Sequence, residues 1–271
     1  MKAPHAIKLR KTSKASVVVN LTFLVLAAFT VAGFFLMDTG GANLGKSFAG
    51  VWESLYKMFI TPQISSITIW DSIEKLLMTL GLGFLTTLIG AVFALVLGLL
   101  AARNLGSARV SNAIKGFVAL IRAVPTVLWV LIFAVGAGLG SVAAIVGMSF
   151  HSMGYLIKAY SESFEEIDEG VIEALKASGA NWLQIVFQAV LPSSTNYLLS
   201  WTFIRFEINF TTAVAMGAAA GAGGIGYDLF IASGRNYNFH ETGYITYLIL
   251  AVAVVMEIIA TRMKASQRLT A

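Results

Sequence analysis

Two glycine patterns and a few ionisable residues set in apolar runs are where this sequence could do chemistry. GGANLGKS, residues 40–47, fits G-x-x-x-x-G-K-[ST], the loop whose backbone N–H groups cradle nucleotide phosphates. GAGGIG, residues 221–226, fits G-x-G-x-x-G, the dinucleotide fingerprint. Both chemistries require a buried strand before the loop and a helix after it. Each pattern here follows a long apolar run of membrane-helix character, and the first falls on the side predicted to face away from the cytosol. Neither is read as a nucleotide site. The glycines Gly221, Gly223, Gly224 and Gly226 instead suit a helix interruption, and Gly217 with Gly221 gives a small-xxx-small pair.

The three histidines are His5, His151 and His240. Ser149 and Ser152 lie near His151, but at that spacing they do not supply a catalytic serine–histidine pair, so His151 is read as a polar contact between helices. Four charges fall within apolar runs: Arg122, Arg205, Glu207 and Glu257. A charge at the bilayer centre costs about 2.5 to 3.5 kcal/mol, so each needs a partner or a wet path. Structural ion pairing and substrate contact are both open for each. Arg205 and Glu207 point to different sides of a helix, whereas Asn209 shares the face of Arg205. An arginine fork matches phosphoryl oxygens and stays charged.

These residues sit in a chain of 271 residues that is 57% hydrophobic and 12% charged, with a mean hydropathy of +0.79. Such a composition cannot cover a water-facing surface, which excludes a soluble enzyme. The absence of cysteine excludes a disulfide framework and thiolate metal sites. The net charge of +5 is explained by bases flanking apolar runs, so no nucleic acid is invoked.

Charge-poor stretches long enough to span appear between Lys14 and Asp38, between Lys75 and Arg103, from about 190 to 220, and from Thr242 to Thr261. The stretch from before Arg122 to Lys158 holds two more helices, joined by the turn GAGLG at 136–140, with Pro125 a further interruption. The expectation is an all-α integral membrane protein of six transmembrane helices, the first retained and not cleaved. The bias of lysine and arginine puts both termini in the cytoplasm and residues 38–74 outside. There, VWESLYKMF at 51–59 is a helix that either lies on the membrane surface or packs on the bundle. The organisation is then 1–74, a membrane domain over 75–262, and a cytoplasmic tail over 263–271.

Between the fourth and fifth helices lies SESFEEIDEGVIEALKASGANWLQIVFQAVLP, residues 161–192, acidic on a side where bases are expected. It reads as two short helices broken at Gly179, either a solvated hairpin or a docking surface for a cytosolic partner. The spacing of Glu173, Ala174 and Leu175, then Gly179, then Leu191 and Pro192 resembles the "EAA" loop of binding-protein-dependent ABC importer permeases. Leu175 stands where alanine is usual and Ala189 where isoleucine is usual. The resemblance implies a coupling helix seated on an ATPase subunit, with Leu191–Pro192 as the way out of the loop.

RFEIN (205–209), GAGGIG, and then Arg235, Phe239 and Thr242 narrow the resemblance to phosphonate-uptake permeases, as do IRAVPTVLW (121–129) and GAGLG. The similarity covers about residues 75–262. It implies the type I ABC importer permease fold in a prokaryotic plasma membrane. The implied partners are a second copy of the chain, a cytosolic ABC ATPase dimer holding ATP and Mg, and an extracytoplasmic solute-binding protein. The chain itself then carries no cofactor and no metal. Arg122, Pro125, Arg205, Glu207, Asn209 and the GAGGIG glycines would line the translocation path or gate. Two family charges are neutral here, at Thr126 and Thr211, which keeps open phosphite, another phosphorus oxyanion or an uncharged solute. An ATP-independent carrier is the rival reading.

Overall fold

A computed structural model describes residues 13–37 and 44–268. The chain divides into two compact units, residues 1–52 and 53–271. The first holds α1 (Lys14–Leu36), apolar on every side, with Ser13 capping its N-terminus through a hydrogen bond from the Ser16 N–H. Helix α2 (Leu44–Phe59) begins in the first unit and ends in the second.

The second unit is built around α3 (Ile69–Ala101), α6 (Ser141–Glu165) and α9 (Leu191–Ala220). Thr68 and Asp71 form a reciprocal capping box that starts α3. At 33 residues α3 is about 50 Å long, more than a bilayer core requires. Lipid is as apolar as leucine, so membrane helices associate where small residues let backbones approach. On α3, a Cβ at Gly83 would lie 3.0 Å from the Phe210 backbone of α9. At Gly90 and Gly98 it would meet Ser152 and Tyr160 of α6, at 2.9 and 3.1 Å. Leu99, Leu156, Tyr160 and Phe164 belong to the main buried cluster, together with Val118 and Ile121 of the helix that follows α3.

Six spans are accounted for by four long helices and two bent pairs. The first pair is α4 (Ala108–Ala123) and α5 (Thr126–Ala137), which meet at 89°. Pro125 disfavours helical backbone at Val124, which is extended at ψ 125°, and opens α5 as its N-cap. GAGLG forms the expected tight turn, with Gly138 at φ 77° and Gly140 at φ 142°. The second pair runs from Trp182 to Ala219 and from Gly224 to Arg235, and bends by 48°.

The loop expected at 161–192 is ordered as α7 (Glu169–Ala177) and the short α8 (Trp182–Ile185), with Gly179 between them. Its second element differs from expectation. Helix α8 does not end at Leu191–Pro192 but runs through a π turn, Val186–Val190, straight into α9. Proline has no N–H for the α ladder, and the wider turn, with the Leu191 N–H donating to the Val186 carbonyl, carries the helix past it. Helix α10 (Gly224–Phe230), a second π turn at Ile231–Arg235 and α11 (Phe239–Arg268) complete the chain.

Candidate coupling loop and intramembrane polar centre

The corner between α7 and α8 is fixed by backbone bonds on both sides. The Gly179 N–H donates to the Lys176 carbonyl and the Ala180 N–H to the Leu175 carbonyl, each at 3.0 Å, closing a Schellman motif. That motif needs a left-handed residue, and Gly179 supplies it at φ +81° with open space around its missing side chain. Two residues on, Asn181 and Gln184 form a reciprocal capping box at 2.7 and 2.9 Å. Glu173 and Ala174 are exposed on α7, and Trp182, Leu183 and Phe187 are exposed beyond the corner, the last at 65%. Trp182 is steadied by its indole N–H donating to the Leu105 carbonyl at 3.0 Å. The result is a rigid two-helix corner with an acidic and an apolar face. Leu191 is half-buried and Pro192 exposed, both inside a continuous helix.

Inside the bundle, Arg205 and Asn209 do share a face, and both turn inward. Arg205 is 4% exposed, donates from Nε to Ser152 Oγ at 3.0 Å and lies 5.1 Å over the Tyr155 ring. The Asn209 amide donates to Thr87 Oγ1 and Ser152 Oγ, both at 2.8 Å, and its carbonyl oxygen accepts from Ser152 at 3.0 Å. Three helices are thereby joined by hydroxyls that the sequence reading did not single out. Only Ser152 had been noted, and then as a failed nucleophile. Glu207 lies on another side of α9 and is half-buried.

Arg122 and Glu257, the other two charges in apolar runs, are exposed on this chain. Arg122 lies at the end of α4, where the helix breaks, and lines a cleft of about 290 Å³ with Lys115, Lys158, Glu162 and Glu165. Glu257 accepts a hydrogen bond from Thr261. Pro125, also exposed, sits at the bend. His151 makes the expected polar contact between helices, its Nδ1 lying 3.2 Å from Thr126 Oγ1 of α5.

GAGGIG forms the turn from α9 into α10. Gly221 caps α9 at φ +61°, Gly223 has φ +78° and Gly224 φ +69°. Gly217 packs tightly, a Cβ there lying 2.7 Å from the Tyr227 nitrogen, whereas Gly221 has open space, so the two do not act as one packing pair. A Cβ on Gly226 would overlap the Val214 carbonyl. Two bonds tie the turn to α3: the Ile225 N–H donates to Thr79 Oγ1 at 3.0 Å, and Lys75 Nζ meets Asp228 Oδ1 at 2.7 Å. For the other glycine pattern, residues 40–43 lie outside the described residues, and its last four belong to α2.

The end of α2 and the segment after it pack on the start of α11. Gly243 admits the Met58 carbonyl where a Cβ would overlap it, and Tyr247 donates to the Phe59 carbonyl at 2.7 Å. Buried Glu241 accepts from Ser66 and from the Ile67 N–H. This packing decides between the two expectations for the end of that amphipathic helix.

The chain is 32% identical over 197 residues to the phosphite transport system permease protein PtxC of Stutzerimonas stutzeri, covering 72% of this chain and 70% of that one. It is 30% identical over 236 residues to the phosphate-import permease protein PhnE of Mycolicibacterium smegmatis. That match spans 86% of this chain but only 43% of the longer relative. An inward-facing structure of the MetNI methionine ABC transporter superposes with a TM-score of 0.67 at 24% identity, over 74% of this chain and 99% of that one. These likenesses agree with the all-helical fold of a multi-pass permease. Residues 94–268 match the binding-protein-dependent transport system inner membrane component, and the chain belongs to that family of ABC importer permeases.

Proposed function

We propose that this chain forms the translocation path of an ATP-driven importer for phosphonate, phosphite or a related phosphorus oxyanion, working as a homodimer. In this reading a cytosolic ATPase dimer, with ATP and Mg, docks on the loop 161–192, and an extracytoplasmic solute-binding protein delivers the ligand. Glu173, Ala174 and Gly179 form the docking corner, and Leu191 and Pro192 pass its movement into α9. Arg122, Pro125, Arg205, Glu207 and Asn209 border the path, and Gly221, Gly223, Gly224 and Gly226 shape the gate. Both termini face the cytoplasm, as the lysine and arginine bias favours.

The observation that carries the proposal is the corner itself. A helix that only connected two spans would not need a Schellman stop, a capping box and exposed Leu183 and Phe187 in immediate succession. The named relatives that handle phosphite and phosphate support the ligand class, and an arginine fork matches the oxygens of such a ligand.

The test is copurification of the tagged chain with the proteins encoded beside it, wild type against Gly179→Asp. It is followed by titration of any recovered solute receptor with phosphite, methylphosphonate, phosphate and methionine. Loss of an ATPase from the variant, with tight binding of a phosphorus oxyanion, is the expected result. An ATPase with a methionine-selective receptor would overturn the ligand class. No ATPase with either protein would overturn the importer.

A further inference from the structure

The two ring nitrogens of His151 have different fates. Nδ1 lies beside the Thr126 hydroxyl, while Nε2 is buried and has no hydrogen-bond partner among the described residues. Burying a polar atom without a partner is costly, and such an atom in a native protein asks for a ligand or a water. Its surroundings say which kind of ligand. His151, Gly154, Tyr155 and Lys158 recur at helical spacing on one face of α6.

Cations lie along that face. Gly154 makes room for Ile121, whose Cγ2 would lie 2.8 Å from a Cβ placed there, and the stem of Arg122 passes beside it, its Cγ at 3.5 Å. Tyr155 holds the Arg205 guanidinium over its ring. The Arg205 Nε donates to Ser152, the residue next to His151, at 3.0 Å. Further along the face, Lys158 joins Arg122 in the cleft beneath. Among the described residues, neither arginine has a carboxylate at ion-pair distance. The cleft's Glu162 and Glu165 are paired instead with Lys158 at 3.5 Å and Lys115 at 2.8 Å.

We propose that His151 is the selecting hydrogen-bond donor of an anion transit station on α6, its Nε2–H directed at one oxygen of a phosphorus oxyanion balanced by Arg122 and Arg205. Thr126 is the positioning residue: its O–H donates to Nδ1, which leaves the proton of the neutral ring on Nε2. The station rests on the ligand class proposed above and adds the residue that reads it. One neutral donor beside two arginines suits transit, because conduction needs binding strong enough to admit an ion and weak enough to release it.

The test uses the whole importer, with its ATPase and binding protein, in proteoliposomes. ATP-driven uptake of labelled phosphite is read beside the ATPase rate stimulated by loaded binding protein. Variants are His151→Phe, His151→Gln, which keeps an N–H at similar reach, and Thr126→Val. His151→Phe is expected to lower uptake about tenfold to a hundredfold, the worth of one hydrogen bond to a charged acceptor, with stimulated ATPase unchanged. His151→Gln is expected to restore most of the uptake, and Thr126→Val to fall between the two. Wild-type uptake by His151→Phe would overturn the proposal. So would joint loss of uptake and ATPase that His151→Gln does not rescue, which would make His151 a packing residue. Wild-type liposomes that import methionine and not phosphite would overturn the ligand class itself, an outcome read without any variant.

Discussion

Gly221 and Gly226 bracket one short turn and are constrained for opposite reasons. Gly221 is needed for its left-handed backbone, with nothing within 4 Å of a Cβ, whereas Gly226 is needed for space against the Val214 carbonyl. Gly221→Asn should therefore be tolerated, because asparagine visits the left-handed region, while Gly221→Val should cost about 1 to 2 kcal/mol. Gly226→Ala should cost about 1 to 3 kcal/mol by overpacking and push α10 off α9. Thermal unfolding of the purified protein checks all three, and a cysteine pair across α9 and α10 checks the separation, since the native chain has no cysteine. The polar centre gives a second prediction at this scale. Asn209→Leu removes one partner each from the Thr87 and Ser152 hydroxyls, which keep the Gly83 carbonyl and Arg205, and should lower stability by about 1 to 2 kcal/mol, more than Asn209→Ser, in the same melt. The shared face of Arg205 and Asn209 was legible from their spacing of four. Their partners were not, because Ser152 and Thr87 come from helices 57 and 122 residues away from Asn209, and periodicity does not say which faces meet.

Among the elements, the α7–α8 corner is turned by local bonds, so its chemistry was readable: Gly179 marked the stop, and the acidic first helix marked the exposed face. Asn181→Ala should cost about 1 kcal/mol at the cap of α8. With the corner loosened, ATPase stimulation by loaded binding protein should fall while the ATPase still copurifies. The docking of α10 on α3 was not readable, because Lys75 and Asp228 are 153 residues apart. Lys75→Met leaves the Asp228 carboxylate, 11% exposed, without its cation. The cost is on the order of 1 to 3 kcal/mol, below that of a fully buried pair because Lys75 is 39% exposed. Exchanging the two residues should recover most of it in the melt. Pro125 located the break between α4 and α5, but its 89° angle comes from packing, with a Cβ at Gly147 of α6 falling 2.5 Å from the Val130 backbone of α5. The π turn before Pro192 escaped notice for a similar reason. Leu191–Pro192 marks the way out of the loop, and the neighbouring buried residues Val186, Ala189 and Val190 hold the helix together across it.

For the whole molecule, apolar run lengths and basic flanks were enough to count six spans, since the bilayer leaves the backbone few options. They did not show that two of those spans are bent pairs. The family match begins at residue 94, and residues 1–52 form a compact unit of their own. A chain lacking residues 1–52 is therefore expected to insert and to copurify with the ATPase as the full chain does. Loss of the ATPase from the truncated protein would instead make the first unit part of the assembly.

From Trp182 through the π turn to Ala220 the backbone is one helical rod of about 58 Å. It carries the docking corner at one end and the glycine turn at the other, and it is pinned between them where Arg205 and Asn209 hold Ser152. The pin divides the rod into arms of about 37 and 20 Å, which makes it a lever of the first kind. In the proposed coupling role, a push on the corner that turned the rod about this pin would reach the glycine turn reversed in direction and roughly halved in amplitude. Moving the pin one helical turn along α9 would change that ratio without touching either end.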